Sequence, residues 1–354
     1  MTQGLRIAVL SPTTIQFVEK MASLFPGEQI TVVGPPNTDQ WGWNNYERRT
    51  EEWRRLGLSI AFELRPYKQI DFSRFDVLLE TFETLDMEPT WREHCARYEC
   101  PVVVKACWTR EPYAACPEHY YNKIKDIPIL LEMPAHIPLW RMAGFSDLTF
   151  LFNPVGDWWF DTPWTGATGD GVMILSGKDQ WRQSAFHGVD LFERLRARFP
   201  GRIRLHDGMV HYKTSREMSF MLSGARVFLA LDAPQGHGER PLSLAFREAL
   251  AAGCPVAARD LPGLNYKDFI AGNGLATNDF DALSGFVERC LDDFDFAKAC
   301  SQESRRIARE NFSTERLQAE YLQVFARAKE AWLRRDEPET PPVAMSAFAR
   351  HYKD

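Results

Sequence analysis

The feature that most constrains this chain is an alternation. Short apolar runs of strand length recur between helical stretches, first from Leu5 to Pro134 and again from Val172 to Asp260. LRIAVLSP (5–12), QITVVGPP (29–36), LSIAFELRP (58–66), DVLLETF (76–82), PVVVKACW (101–108) and IPILLEMP (127–134) read as strands. Helical spacing lies between them at Thr14–Phe25, from Asn44 within Trp41–Leu56, and at Thr90–Tyr98. Continuous apolar strands separated by helices predict a parallel, doubly wound α/β sheet. No G-x-G-x-x-G follows the first strand, which argues against a dinucleotide enzyme.

The segment 153–170, NPVGDWWFDTPWTGATGD, breaks the periodicity and is read as the interdomain linker. The alternation then restarts. VMILSG (172–177), a helix over Ser184–Phe199, IRLHDG (203–208), a helix over Ser215–Ser223, a strand over Arg226–Asp232 and PVAARD (255–260) form the second series. Two such sheets are expected to hold a ligand between their C-terminal strand edges. The 354 residues suffice for two cores.

Residues 226–253 hold the densest functional pattern. A strand runs into the loop APQGHGE, then Arg240-Pro241, then a helix opening at 242–244 and stopped by Gly253. Ser243 suits a cap, and the free N–H groups at Ser243 and Leu244 suit an anion. Gly236 and Gly238 would let the backbone approach a ligand closely, with His237 between them. Glu239 precedes the helix, and Glu248 lies about 7.5 Å along its axis. A carboxylate beside a phosphate site suits something neutral, such as the hydroxyls of a ribose, which it can accept in bidentate fashion. The alternative is an ordinary strand–loop–helix unit with solvent-facing glutamates.

FREALAAGCPVAARDLPG (246–263) resembles the C-terminal signature of retaining GT-B glycosyltransferases of the family 4 kind, roughly "LEAMACGVPVVASDVGG". Glu248 matches the second glutamate of that family's pair. The first is expected eight positions earlier, where this chain has Arg240 with Glu239 beside it. SGKDQWRQSAFHGVDLFERL (176–195) resembles the family's diphosphate-binding segment, with Lys178 after Gly177 for its arginine and His187 for its lysine; Arg182 is a substitute for the missing charge. SREMSFMLSGARVFLAL, NGLATNDFDALSGFVERCLDD and ARENFSTERLQAEYLQVF extend the resemblance through the second half. Over the first 150 residues it is architectural alone.

The resemblance implies a GT-B architecture: two Rossmann-like doubly wound domains facing a cleft. Residues 1–155 would form the acceptor-side domain and 170–312 the nucleotide-sugar domain, with a helix at about 314–333 packing back onto the first and 334–354 an exposed tail. It implies transfer of a hexosyl or pentosyl group from a nucleotide-diphosphate sugar to an acceptor hydroxyl, with retention, and neither metal nor cofactor. Lys178, His237, Glu239 and Arg240 are the candidate catalytic residues. Gly177, Lys178, Arg182, His187, Gly236, Gly238, Ser243, Leu244 and Glu248 are the candidate donor contacts. Glu80, Glu83 and Trp108 are candidates on the acceptor side; strand-end pairing and core packing are the alternatives for them.

Other classes are weighed against this one. A formal charge of −6 disfavours a broad nucleic-acid face. Sugar transfer to a modified DNA base would need a basic groove, for which Arg48, Arg49, Arg54, Arg55 and Lys68 are the candidates, against a solvated helix face. A GT-B-type epimerase and a non-catalytic sugar-nucleotide binder complete the alternatives. Seven cysteines without regular spacing fit reduced thiols, and the Cys95–Cys116 cluster, with His94 and His119, matches no zinc pattern. No stretch reads as a signal peptide or a membrane span, so the cytoplasm is the expected compartment.

Overall fold

A computed structural model describes residues 4–10, 15–35, 46–81, 99–106, 127–132, 134–142, 145–175, 188–207, 214–232, 242–261 and 265–334. Among these, the first half builds a seven-stranded sheet from β1 (Arg6–Leu10), β2 (Gln29–Gly34), β3 (Ile60–Leu64), β4 (Val77–Thr81), β5 (Val102–Ala106), β6 (Ile129–Leu131) and β7 (Leu148–Phe150). Their order is β3-β2-β1-β4-β5-β6-β7, and every pairing is parallel. The second half builds a five-stranded sheet from β8 (Gly171–Leu175), β9 (Ile203–Asp207), β10 (Val227–Ala230), β11 (Val256–Ala258) and β12 (Gly274–Ala276). Its order is β12-β11-β10-β8-β9, again all parallel. The α/β fold of two doubly wound sheets expected from the sequence is the one observed.

The strands are apolar on both faces because both faces are covered. Ala8 and Leu10 join one buried cluster with Val33, Leu78 and Val104, whereas Ile7 and Val9 join another with Val32, Leu79 and Val103. Helix α1 (Ile15–Leu24) and α2 (Tyr46–Arg55) supply Val18, Met21 and Trp53 to the second of these. A three-residue strand at each sheet's edge, β7 and β12, escaped the sequence reading. Both are half-buried, so neither carries the long apolar run that marks a central strand.

Short helices α3 (Ile137–Met142) and α4 (Trp158–Asp161) precede the second sheet. Around it lie α5 (Val189–Arg198), α6 (Ser215–Gly224), α7 (Leu244–Ala252), α8 (Phe280–Asp292) and α9 (Phe294–Phe312). Helix α6 opens on a capping box, Thr214 with Glu217, that satisfies two otherwise orphan amides. The segment 153–170 is packed as well as connecting. Val155, Trp159 and Phe160 are buried in the core of the second sheet, and Trp164 donates through Nε1 to Ala225 O at 2.9 Å. Its tryptophans follow no helical or strand period because turns and one short helix place them.

The last helix, α10 (Thr314–Leu333), returns to the first sheet. Leu317, Tyr321, Val324, Phe325 and Ala328 share one face at helical spacing and enter the α1 side of that core. Arg327 binds Asp147 at 2.9 Å, and Gln318 Nε2 donates to Leu24 O at 2.9 Å. No helix among the described residues is long and apolar enough to cross a membrane.

Candidate functional site

In open α/β sheets the ligand crevice lies where the strand order reverses, outside the C-terminal strand ends. In the second sheet that reversal falls between β8 and β10, which are hydrogen-bonded neighbours. The chain leaves β8 into 176–187 and β10 into 233–241, the two loops that carry most of the candidate donor contacts. The described ends of β8 and β10, from which those two stretches of sequence continue, are therefore neighbours. In the first sheet the reversal falls between β1 and β4, and β1 leads into α1.

Helix α7 follows the β10 loop. Ser243 stands at its N-cap, but the hydroxyl makes no capping bond back to the helix. The first amides of the helix thus have no side-chain acceptor in their own turn, which leaves them to an outside acceptor. Gly253 ends the helix in a left-handed conformation at φ 86°, one that favours glycine.

Glu248 does not face open solvent. Its Oε1 accepts from Lys20 Nζ at 3.1 Å, with side-chain exposures of 12% and 4%. Lys20 lies on α1, so the contact spans the two sheets. Beside it, Arg247 donates through Nη1 to Asn153 O at 3.2 Å and places Nη2 3.9 Å from Glu132 Oε1. Glu132, just past β6, also takes Lys105 Nζ at 2.9 Å and Asn153 Nδ2 at 2.5 Å. The C-terminal ends of β5 and β6 therefore meet α7 through buried charges. A second seam lies next to it. Glu19 accepts from Trp53 Nε1 at 2.8 Å and from Ser215 Oγ, and Glu52 accepts from Arg216 N at 3.1 Å at the start of α6.

Burial governs the charges here. It pushes the Lys20 ammonium below the ordinary lysine range, and the Glu248 carboxylate recovers only part of that shift. Burial alone would raise the Glu132 carboxyl, but the cations of Lys105, Arg247 and Lys20 outweigh it and hold the group below the usual range. An isolated buried charge costs several kcal/mol, roughly, so each member of the group needs the others in place.

Of the sequence candidates, Glu248 and Ser243 with Leu244 fall together at the start and middle of α7. Glu80 lies within β4, fully buried beside Val104 of β5, where a strand-end position was expected. Gly177, Lys178, Arg182, His187, Gly236, His237, Gly238, Glu239 and Arg240 lie outside the described residues, as do Glu83 and Trp108. Of the arginines weighed for nucleic acid, Arg54 and Arg55 both pair with Glu51 on an exposed face of α2, the arrangement of a solvated helix. A cavity of about 660 Å³ opens elsewhere, over the edge strand β3 on the sheet face opposite α1. Its cations are already engaged, Arg6 by Asp76 and Arg65 and Arg74 by Glu63, so it offers a poor diphosphate site.

The sequence reading did not single out Lys20, Lys105, Glu132 and Arg247. Each left a trace, a charge set inside a largely apolar stretch, paired with a neighbouring glutamate at Lys20 and Arg247. Lys105 interrupts PVVVKACW, and Arg247 with Glu248 are the two charges of an otherwise apolar helix.

Solved structures share this arrangement over their whole length. HepE from Anabaena, solved with UDP and glucose, superposes with a TM-score of 0.61 at 9% identity, covering 91% of this chain and 99% of that one. An alpha-glucosyltransferase, solved with UDP and a 13-mer DNA containing an HMU base, gives 0.63 at 10% identity over 92% and 100%. A glycosyltransferase from Rickettsia africae gives 0.59 at 10% identity over 92% and 99%. The fold is GT-B. No protein-family model and no curated protein matches the sequence. The likeness is thus one of architecture. In this chain Lys20, Glu248, Arg247 and Glu132 lie where the first sheet's side meets α7 of the second.

Proposed function

We propose that the chain is a glycosyltransferase that moves a hexosyl or pentosyl group from a nucleotide-diphosphate sugar to an acceptor hydroxyl. The observation that carries this reading is Glu248, a largely buried carboxylate on the helix that opens from the β10 loop, at the switch point of a GT-B second sheet. Solved neighbours hold UDP or UDP-glucose, which favours a uridine donor. Residues 170–312 serve the donor and 1–155 the acceptor.

Glu248 holds the ribose diol, while the amides at Ser243 and Leu244 receive the diphosphate at the positive end of the helix. Lys178, with Arg182 or His187, offsets the charge that builds on the leaving group. Gly236 and Gly238 let the loop backbone approach the sugar, and His237 with Glu239 or Arg240 contacts it. Glu83 and Trp108 face the acceptor. The transfer needs neither metal nor further cofactor, because the chain's own cations stabilise the departing diphosphate.

Retention follows from a front-face route. The bond from the anomeric carbon to the diphosphate oxygen breaks, and its electron pair leaves with the diphosphate. The acceptor oxygen bonds to the same face and passes its proton to the departing phosphate. A thermal-shift panel of UDP, GDP, ADP and TDP sugars tests donor binding, since a ligand of the folded state raises the melting point. No shift with any of them would remove the reading. An inverted anomer, seen by NMR of the product, would remove the front-face route.

A further inference from the structure

Lys20 serves no packing need of its own helix. Its neighbours Phe17, Val18, Met21 and Ala22 fill the first core, yet the Lys20 side chain is buried and ends at Glu248 of α7. The charges facing it are Glu248 and Arg247 from α7, Glu19 from its own helix and, more distantly, Glu132 past β6, which already holds Lys105 and Arg247. Glu19 is already held by Trp53 Nε1 and Ser215 Oγ. Arg247 repels it and is drawn away toward Glu132 and Asn153 O. Glu248 is therefore the direct counter-charge of Lys20.

The bond engages one carboxylate oxygen. Glu248 Oε1 takes Lys20 Nζ at 3.1 Å, and Oε2 has no hydrogen-bond partner among the described residues. A carboxylate offers about four lone-pair sites, so one oxygen fixed by a cation leaves the other free and fixed in direction. Lys20 belongs to the first sheet's side of the cleft and Glu248 to the second. The carboxylate is thus aimed only while the two sides are together.

We propose that Lys20 is a positioning residue for the donor: from the opposite side of the cleft it fixes Glu248 through Oε1 and presents Oε2 to the ribose diol. The site then discriminates ribose from deoxyribose, and the discrimination depends on the cleft being closed. This rests on the reading of the chain as a nucleotide-sugar enzyme.

The test measures dissociation constants of the full chain for UDP, GDP and ADP, each beside its 2′-deoxy form, in the native protein and in Lys20→Met. The native chain is expected to prefer the ribose form of its nucleotide by about tenfold, the worth of one hydrogen bond to a charged group. In Lys20→Met that ratio is expected to fall toward one. A residue needed only for packing would weaken both forms alike and leave the ratio intact, which would overturn the proposal. Should Lys20→Met fail to fold, Lys20→Arg decides, with a ratio between those values expected and an unchanged ratio overturning the proposal. A native chain that binds a nucleotide without discriminating would overturn the role of Lys20 while leaving the transferase reading in place. A native chain that binds none of the six would remove both.

Discussion

Arg247 Nη2 stands 3.9 Å from Glu132 Oε1, so a guanidinium carried by the donor-side helix α7 reaches the carboxylate at the end of β6. The residue next to Arg247 is Glu248, which reaches the other way to Lys20. Two consecutive residues of one helix therefore engage opposite charges on the first sheet. The arrangement fixes α7 against β5, β6 and α1.

Replacing Glu132 by glutamine is expected to leave Lys105 and Arg247 without their shared counter-charge. Removing one partner of a buried ion pair costs about 3–5 kcal/mol. The sign of the pH dependence follows from the depressed carboxyl. Its contribution is complete above the ordinary value of 4.5 and is lost as pH falls through the lower folded value, because the unfolded chain then binds the proton more readily. Urea midpoints of the two proteins should therefore differ most at neutral pH and converge in acid. A gap that stays constant with pH would rule out this role for Glu132.

Glu248→Gln keeps an acceptor for Lys20 but removes the charge proposed to hold the ribose diol. Donor binding is expected to weaken by about ten- to a hundredfold, corresponding to roughly 1.5–3 kcal/mol for a hydrogen bond to a charged group. Calorimetric titration with UDP-glucose measures it. An unchanged affinity would take Glu248 out of the site.

Gly188→Ala is expected to damage the site from behind. Gly188 has φ +63°, and a Cβ there would lie 1.8 Å from Leu231 O, a backbone atom just past β10. The left-handed conformation alone costs a non-glycine about 1–3 kcal/mol, and the collision adds to it. Leu231 leads into the β10 loop, so the melting point and the response to sugar nucleotide should fall together. Thermal shift with and without ligand reads both.

Phe325→Ala tests the return of α10. Phe325 packs against Phe25 with ring centroids 5.4 Å apart, in the core shared with β1 and β5. Such a truncation costs about 3–5 kcal/mol. Chemical denaturation should show that loss, although the residue is 300 positions from Phe25 in the chain.

Several parts of this molecule were legible without coordinates. IAVL, VVV and ILL, in β1, β5 and β6, are apolar throughout, and a strand of that kind needs cover on both faces. The helix opening at Ser243 and stopped by Gly253 was readable from its N-cap and C-cap residues. The three-residue edge strands were not, because half-buried edges carry no long apolar run. Glu80 was read as following the strand or pairing at its end; it is the penultimate residue of β4 and fully buried. A sequence window does not distinguish a carboxylate at a strand end from one inside it.

The local order of residues determined the two alternating series, the parallel sheets they form and the presence of an acidic residue within the helix after the glycine loop. Periodicity, caps and turn residues act over a few positions, so they can be read from the chain directly. Only the tertiary structure decided that Glu248 faces Lys20, 228 positions away, and that Arg247, Glu132 and Lys105 share one buried group. Burial turns these ordinary charges into mutual requirements, and burial depends on how the two sheets come together.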